Sequence, residues 1–305
     1  MNPVAARQQP PAGSLFLDHV GHFVADLEAA SRALEALGFA PTPVSPQATP
    51  EGPAGTANRC VMLEEGYVEL LAPIADSAHA RRLREAMARR AGVHVLAFGT
   101  PAAEEEHARL ARHGFEPPPL VRLEREVELD GATRSARFVV ARVSPERMPE
   151  GRVQFVQQLT PECLWQREYL GHASGALALA AVFVVAGDPV AAAARYARFA
   201  GLLPRPAGAL VRLATARGTV LIGRAADWER LLGAAPPAAP ALAGYALACR
   251  DARALAQRCA GAGLAVRPAG EGLHAVQLPP QLGGAWLLGE PAALARFEAR
   301  GLPVQ

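Results

Sequence analysis

One pattern of punctuation occurs four times in this chain, and it constrains the fold more than any single residue does. An apolar strand candidate meets an aspartate or a Thr-Pro step, then apolar residues at helical spacing, then a glycine. The first copy is LDHVGHFVADLEAASRALEALGF. Residues 15–25 read as a strand, Asp26 takes a helix N-cap position, and Leu27, Ala30, Leu34 and Leu37 fall on one helical face before Gly38. The second copy is GVHVLAFG (92–99), with Thr100-Pro101 opening a helix that ends at Gly114. The third is ALALAAVFVVA (176–186), followed by Asp188-Pro189 and an end near Gly201. The fourth is AGYALAC (243–249), followed by Asp251 and an end at Gly263. The copies begin roughly 65 to 85 residues apart, the mark of an internal repeat.

Each helix is followed by room for about three strands. Hairpin candidates pair residues 58–63 with 66–71, 136–143 with 152–159, 209–214 with 218–223, and 272–278 with 284–288. The unit is therefore strand, helix, three strands (βαβββ), and the fold class is α+β: tandem βαβββ modules in two pairs. An Arg-rich helix over residues 77–90 joins the first two modules, and a Pro-rich stretch at 236–241 links the last two. The break between pairs falls near residues 171–176. This predicts a flexible N-terminal arm (1–14), a first domain (15–172), and a more degenerate second pair of modules (173–305).

Composition narrows the class of function. Half of the 305 residues are hydrophobic and a fifth are charged, which suits a soluble globular protein and argues against disorder. The net charge of +2, without a dense basic cluster, argues against a nucleic-acid partner. Cys60, Cys163, Cys249 and Cys259 form no CxxC pair, so they read as small buried hydrophobes rather than a zinc ribbon or a disulfide scaffold. The arm lacks a signal-peptide pattern, and the apolar run at 176–186 is too short to span a bilayer. A cytoplasmic protein without a membrane partner is expected.

Three segments carry a resemblance. LDHVGHFVADLEAASRALEALGF is similar to the opening segment of the vicinal oxygen chelate superfamily. GTANRCVMLEEGYVELLAP (55–73) resembles a narrower group, the glyoxalase-like domain proteins. QFVQQLTPECLWQREYLGHASGA (154–176) resembles the segment that closes that domain. The resemblance covers residues 15–176, and the later modules match only in plan. It implies that two modules pack side by side, that their sheets curl into a cup, and that residues from the first and last strands hold a divalent metal inside. It places His19 at the first ligand position and Glu69 at the last-strand position, with Glu69 doubling as a proton-transferring base. One imidazole and one carboxylate suit zinc, nickel, manganese or iron(II).

Parity separates the two histidines of LDHVGHFV. Odd spacing on a strand puts His22 on the face opposite His19, against helices or an interface. The second module fills the remaining positions poorly. Setting the 92–99 strand on the first with His94 over Asp18 puts Val95 over His19 and leaves His94 one residue out of register. Anchoring on the Ala72-Pro73 and Thr160-Pro161 steps puts Gln157 over Glu69, with Gln158 beside it. Either amide oxygen is a candidate weak ligand. The set falls short of two histidines and a carboxylate, which disfavours a dioxygenase. No first-position ligand or last-strand carboxylate appears in the C-terminal half, which then serves as scaffold, lid or dimerisation surface.

Asn58, Arg59 and Tyr67 are the candidate substrate-binding residues. Arg59 could grip a carboxylate or phosphate bidentately, or it could pair with Glu64 or Glu65, and Asn58 could cap a turn. Tyr67, Trp165 and Tyr169 read as pocket lining or core, and Trp165 as core. His172 reads as a surface or interface residue. Arg122, Arg125 and Arg134 belong to a charged hairpin read as exposed. Three functions stay open: a metal-dependent lyase or isomerase acting on a small oxygenated substrate, a metal-free protein that sequesters a small molecule, and a degenerate structural or interaction protein.

Overall fold

A computed structural model describes residues 3–49 and 52–303. The first module comprises β1 (Phe16–Phe23), α2 (Leu27–Ala36), β2 (Ser45–Thr49), β3 (Gly52–Met62) and β4 (Tyr67–Pro73); a short helix, α1 (Pro3–Ala6), precedes it. Helix α3 (Ala78–Arg89) leads to the second module: β5 (Val93–Gly99), α4 (Ala103–Arg112), β6 (Val121–Leu129), β7 (Ala132–Arg142) and β8 (Arg152–Gln158). The third is β9 (Ala176–Val185), α5 (Pro189–Ala200), β10 (Pro204–Ala207), β11 (Leu210–Ala214) and β12 (Thr219–Gly223). Helix α6 (Ala225–Leu232) precedes the fourth: β13 (Ala241–Cys249), α7 (Ala252–Gly261), β14 (Val266–Pro268), β15 (Leu273–Gln277) and β16 (Ala285–Gly289), with α8 (Pro291–Arg300) closing the chain.

Two eight-stranded sheets result, with the same order. The first runs β2-β3-β4-β1-β5-β8-β7-β6 and the second β10-β11-β12-β9-β13-β16-β15-β14. Within each module the first and last strands are parallel, and the two modules join through their antiparallel first strands. The aspartates that punctuate the repeat do cap helices. Asp26 accepts from the backbone N–H groups of Glu28 and Ala29, Asp188 from Val190 and Ala191, and Asp251 from Ala254.

The outer faces of both sheets share one core with helices α2, α4, α5 and α7. Val20, Leu96 and Phe155 meet Val182, Tyr245 and Trp286 there, together with Leu34, Leu110, Phe199 and Leu255. The concave face of the second sheet is filled by its own apolar side chains. Phe183, Leu221 and Leu287 pack there against Trp228 of α6 and Leu294 and Phe297 of α8. Trp228 stacks on Phe183 at 4.8 Å, and its Nε1–H donates to the Val184 carbonyl. The repeat pattern did not foretell α6 or α8. They turn what could have been a second cup into a packed core.

Residues 3–14 do not behave as the expected flexible arm. Ala5 is buried against Met62, Cys163 and Trp165. Gln8 is buried too; its amide donates to the Glu64 carbonyl, and Arg217 of the C-terminal half donates to its Oε1. Three backbone hydrogen bonds add to this seam: Leu17 to Arg217, Glu65 to Leu177 and Leu179 to Glu65. His172 is likewise buried rather than superficial. It accepts from the Ala40 N–H through Nδ1 and donates to the Met62 carbonyl through Nε2.

Candidate functional site

The concave face of the first sheet is the one left open. Strand pairing fixes which side chains face it. His19 lies opposite Tyr67 and Gly21 opposite Glu69 in the parallel β1/β4 ladder. Paired residues share a face and faces alternate, so all four project to the same side. Cys60 opposite Glu69, and Asn58 opposite Leu71, put Asn58 on that side too. A Cβ on residue 21 would sit 2.9 Å from the Val95 side chain and 3.5 Å from a Glu69 oxygen, so glycine keeps the space beside Glu69 clear.

The second module repeats this geometry with other chemistry. Gln154 lies opposite Ala97, and Arg152 opposite Val95. In the β1/β5 ladder His19 pairs with Ala97 and Gly21 with Val95, so the two-fold relation between the modules sets Val95 over His19, Ala97 over Gly21 and Gln154 over Glu69. The equivalent of Glu69 is therefore Gln154, not Gln157 as the Pro steps suggested. Gln157 is three residues further on and faces away. Its Oε1 accepts from Ala103 N–H and its Nε2 donates to the Pro101 carbonyl, so it completes the N-terminus of α4, whose own N-cap residue, Ala102, has no side-chain bond to give. A shift by an odd number of residues reverses the face, and the Pro steps lie in loops that need not have equal length.

Gln158 returns to the cup side but binds protein. Its Nε2 donates to both oxygens of Asp18, at 3.2 and 3.3 Å. Asp18 is an extra residue in β1: Leu17 pairs with Phe98 and His19 with Ala97, leaving it in a bulge. The bulge swings a side chain that alternation assigns to the far face round to His19, where Oδ1 accepts from Nδ1–H at 2.7 Å. The His19 ring stacks on Tyr67 at 4.4 Å, and Tyr67 packs edge-on against the buried Trp165.

Glu69 is held by Asn58, whose amide donates to Oε1 at 2.6 Å; the Asn58 carbonyl oxygen accepts from Arg125 at 2.7 Å. Arg125 is thus turned into the cup, unlike Arg122 and Arg134, which are exposed. Arg142 donates through Nε to Gln154 Oε1 at 3.2 Å. Arg152 lies over the Phe23 ring at 5.0 Å. Burial, and then the neighbouring Arg142, push Arg152 down to about 10, and burial lowers Arg142 as well. Together with His19, Tyr67, Glu69 and Asn58, these three arginines and Gln154 line a cavity of about 110 Å³. A larger open groove of about 830 Å³ lies outside, between β2 and the β6–β7 hairpin, and contains neither His19 nor Glu69.

Arg59 is not part of the cup. It donates to the carbonyls of Thr42 and Pro41 and lies 3.7 and 3.5 Å from Glu28 and Glu35 of α2, not from Glu64 or Glu65. His22 is on the opposite face, at the seam between halves, donating to the Leu282 carbonyl and accepting from the Tyr245 hydroxyl. Burial pushes it down to about 4. His94 is also an extra residue in its strand, since His22 pairs with Val93 and Gly21 with Val95. It still does not reach the ligand position: it stacks on Phe23 at 4.6 Å, accepts from the Phe23 N–H and donates to the Arg90 carbonyl.

The donor set does not fit a resident divalent metal. Of the four register-equivalent positions, His19 and Glu69 supply strong ligands, Val95 supplies none, and the Gln154 oxygen is already engaged by Arg142. No group of three His, Cys, Asp or Glu side chains arranged to hold a metal occurs among the described residues. Arg142 and Arg152 add positive charge where a cation would sit.

Paired βαβββ modules around a cup, two pairs in tandem, are the vicinal oxygen chelate fold. The profile of the family described as "Glyoxalase-like domain" matches residues 17–200, more than half of the chain, and the protein belongs to that family. The match runs through β9 and α5, so it includes the first part of the second sheet. No curated protein matches the chain in sequence. Among solved structures, a hypothetical protein from Staphylococcus aureus is similar with a TM-score of 0.64 at 11% identity, over 90% of this chain and 99% of that one. A mutant of 4-hydroxymandelate synthase from Streptomyces coelicolor gives 0.54 at 15% identity, over 94% and 97%. A Mn(II)-bound glyoxalase from Novosphingobium aromaticivorans gives 0.51 at 12% identity, over 90% and 81%. At these identities the likeness establishes the fold. No helix among the described residues is long and apolar enough to cross a membrane.

Proposed function

We propose that the N-terminal cup is a metal-free binding site for a small oxygenated molecule, with the C-terminal half as its scaffold. One observation carries this: the ladder places His19, Glu69, Val95 and Gln154 at the four equivalent positions, and Gln154 is spoken for by Arg142. The closed second cup supports the scaffold role. Cavity size supports a ligand of only a few heavy atoms, since an apolar cavity of about 150 Å³ holds a benzene. The same reading keeps the expectation of a cytoplasmic protein with no nucleic-acid or membrane partner.

The test is metal analysis of protein purified without chelators, alongside His19→Ala and Glu69→Ala, followed by a thermal-shift screen of small oxygenated compounds. The reading expects far less than one metal per chain in all three proteins, and hits that are lost in the two variants. Stoichiometric zinc, nickel, manganese or iron, absent from both variants, would replace it with a metal-dependent lyase or isomerase. No hit in the screen would leave the structural role.

A further inference from the structure

The cup holds more positive charge than its own carboxylates neutralise. Arg142 and Arg152 form no ion pair within the described residues, and Arg152 has no hydrogen-bond acceptor there at all; it lies over the Phe23 ring. Arg142 has a single bond, from Nε to Gln154, which leaves its terminal nitrogens without an acceptor. The third guanidinium, Arg125, spends Nη1 on Asn58, while its buried Nε has no partner among the described residues. Against these stand Glu69 inside and the exposed Glu124 at the rim. The arrangement is built into the sheet. Arg142 pairs with Gln154 across β7 and β8, and Arg152 lies two residues before Gln154, so all three face the same side.

Two half-buried guanidiniums side by side are costly: each loses hydration and each repels the other. A salt partner would offset both effects; Glu69 does so only from beyond ion-pair distance, and no carboxylate of the described residues pairs with either guanidinium. Guanidinium presents parallel N–H donors that match the two oxygens of a carboxylate or phosphoryl group. Leu71, Leu83, Leu123, Val140 and Val156 give the rest of the lining an apolar stretch, beside the polar Gln47, Thr56 and His79.

Resting on the small-molecule reading above, we propose that the ligand is an organic anion. Its carboxylate or phosphoryl head is held between Arg142 and Arg152, and a short apolar body lies against the valine and leucine walls. His19 and Glu69 then face that body rather than its charged head.

Calorimetry on the full chain with three probes of similar size tests this: 2-oxobutyrate, ethylphosphonate and the uncharged 2-butanone. At least one of the two anions should bind ten times or more tightly than the ketone, and which of them does so identifies the head group. Arg142→Met and Arg152→Met should each weaken the anion at least tenfold and the ketone far less. Arg152→Lys, which keeps the charge, should recover part of the loss, and unfolding curves should show all variants folded. Equal affinity for ketone and anions, or anion affinity indifferent to both Met variants, would overturn the anion assignment while leaving the cup a small-molecule site. Failure of all three probes to bind would count against both.

Discussion

Replacing Arg152 with methionine should make the free protein more stable. Burial, and then Arg142, outweigh Glu69 and hold Arg152 down to about 10, about 2.5 below the ordinary arginine value. At about 1.4 kcal/mol per pH unit, the charged form costs about 3.5 kcal/mol relative to the unfolded chain. The sign is set by the working pH. At pH 7.5 the group is charged in both states, because that lies below both values, so the whole penalty is present. Methionine keeps an apolar stem over Phe23 but loses the cation–ring contact, worth about 0.5–1 kcal/mol. A net gain of about 2.5–3 kcal/mol is expected, or several degrees in melting temperature for a chain of this size. Urea unfolding at pH 7.5, with Arg152→Lys as the charged control, measures it. Adding 2-oxobutyrate at ten times its Kd should raise the parent by about 1.4 kcal/mol and Arg152→Met hardly at all. If Arg152→Met is as stable as the parent or less so, the guanidinium is already compensated, and the case for an unneutralised charge in the cup collapses.

Three further outcomes follow from the same geometry. Because His22 sits at about 4 when folded and 6.5 when unfolded, stability should fall as pH drops from 6.5 towards 4, by about 2 kcal/mol at pH 5 from this residue alone. His94, lowered to about 3, adds to the same slope. Unfolding titrations of His22→Gln should show a flatter dependence, and identical slopes would remove His22 from the account. Gln157→Ala should cost about 1 kcal/mol through the unfinished start of α4 and leave ligand affinity unchanged; a loss of affinity in a folded variant would return Gln157 to the site. Trp228→Ala should cost about 3–5 kcal/mol by emptying the second sheet's concave core, read by chemical denaturation; a cost below 1 kcal/mol would mean that α6 is not what fills it.

Much of the architecture was legible because it rests on local chemistry that repeats. Asp26, Asp188 and Asp251 each sit before helically spaced apolar residues, and a capping aspartate works the same way wherever it occurs. His19 and Glu69 were legible through the segments that resemble the superfamily. The arginines were not. Arg125, Arg142 and Arg152 stand in charged or unremarkable stretches, and only alternation counted from a known strand register turns them inwards. A hairpin rich in arginine and glutamate looks solvated on both faces until something packs over one of them.

The sequence by itself determined the module: its strands, its caps, its fourfold recurrence and the separation of His19 from His22. Tertiary structure decided what the module is for. A single bulge carried Asp18 to His19, strand pairing rather than loop landmarks made Gln154 the counterpart of Glu69, and two helices filled one concave face while the other stayed open. Each of these depends on register or on packing between segments far apart in the chain. A one-residue change in register moves a side chain through the sheet, and nothing local to that residue records it.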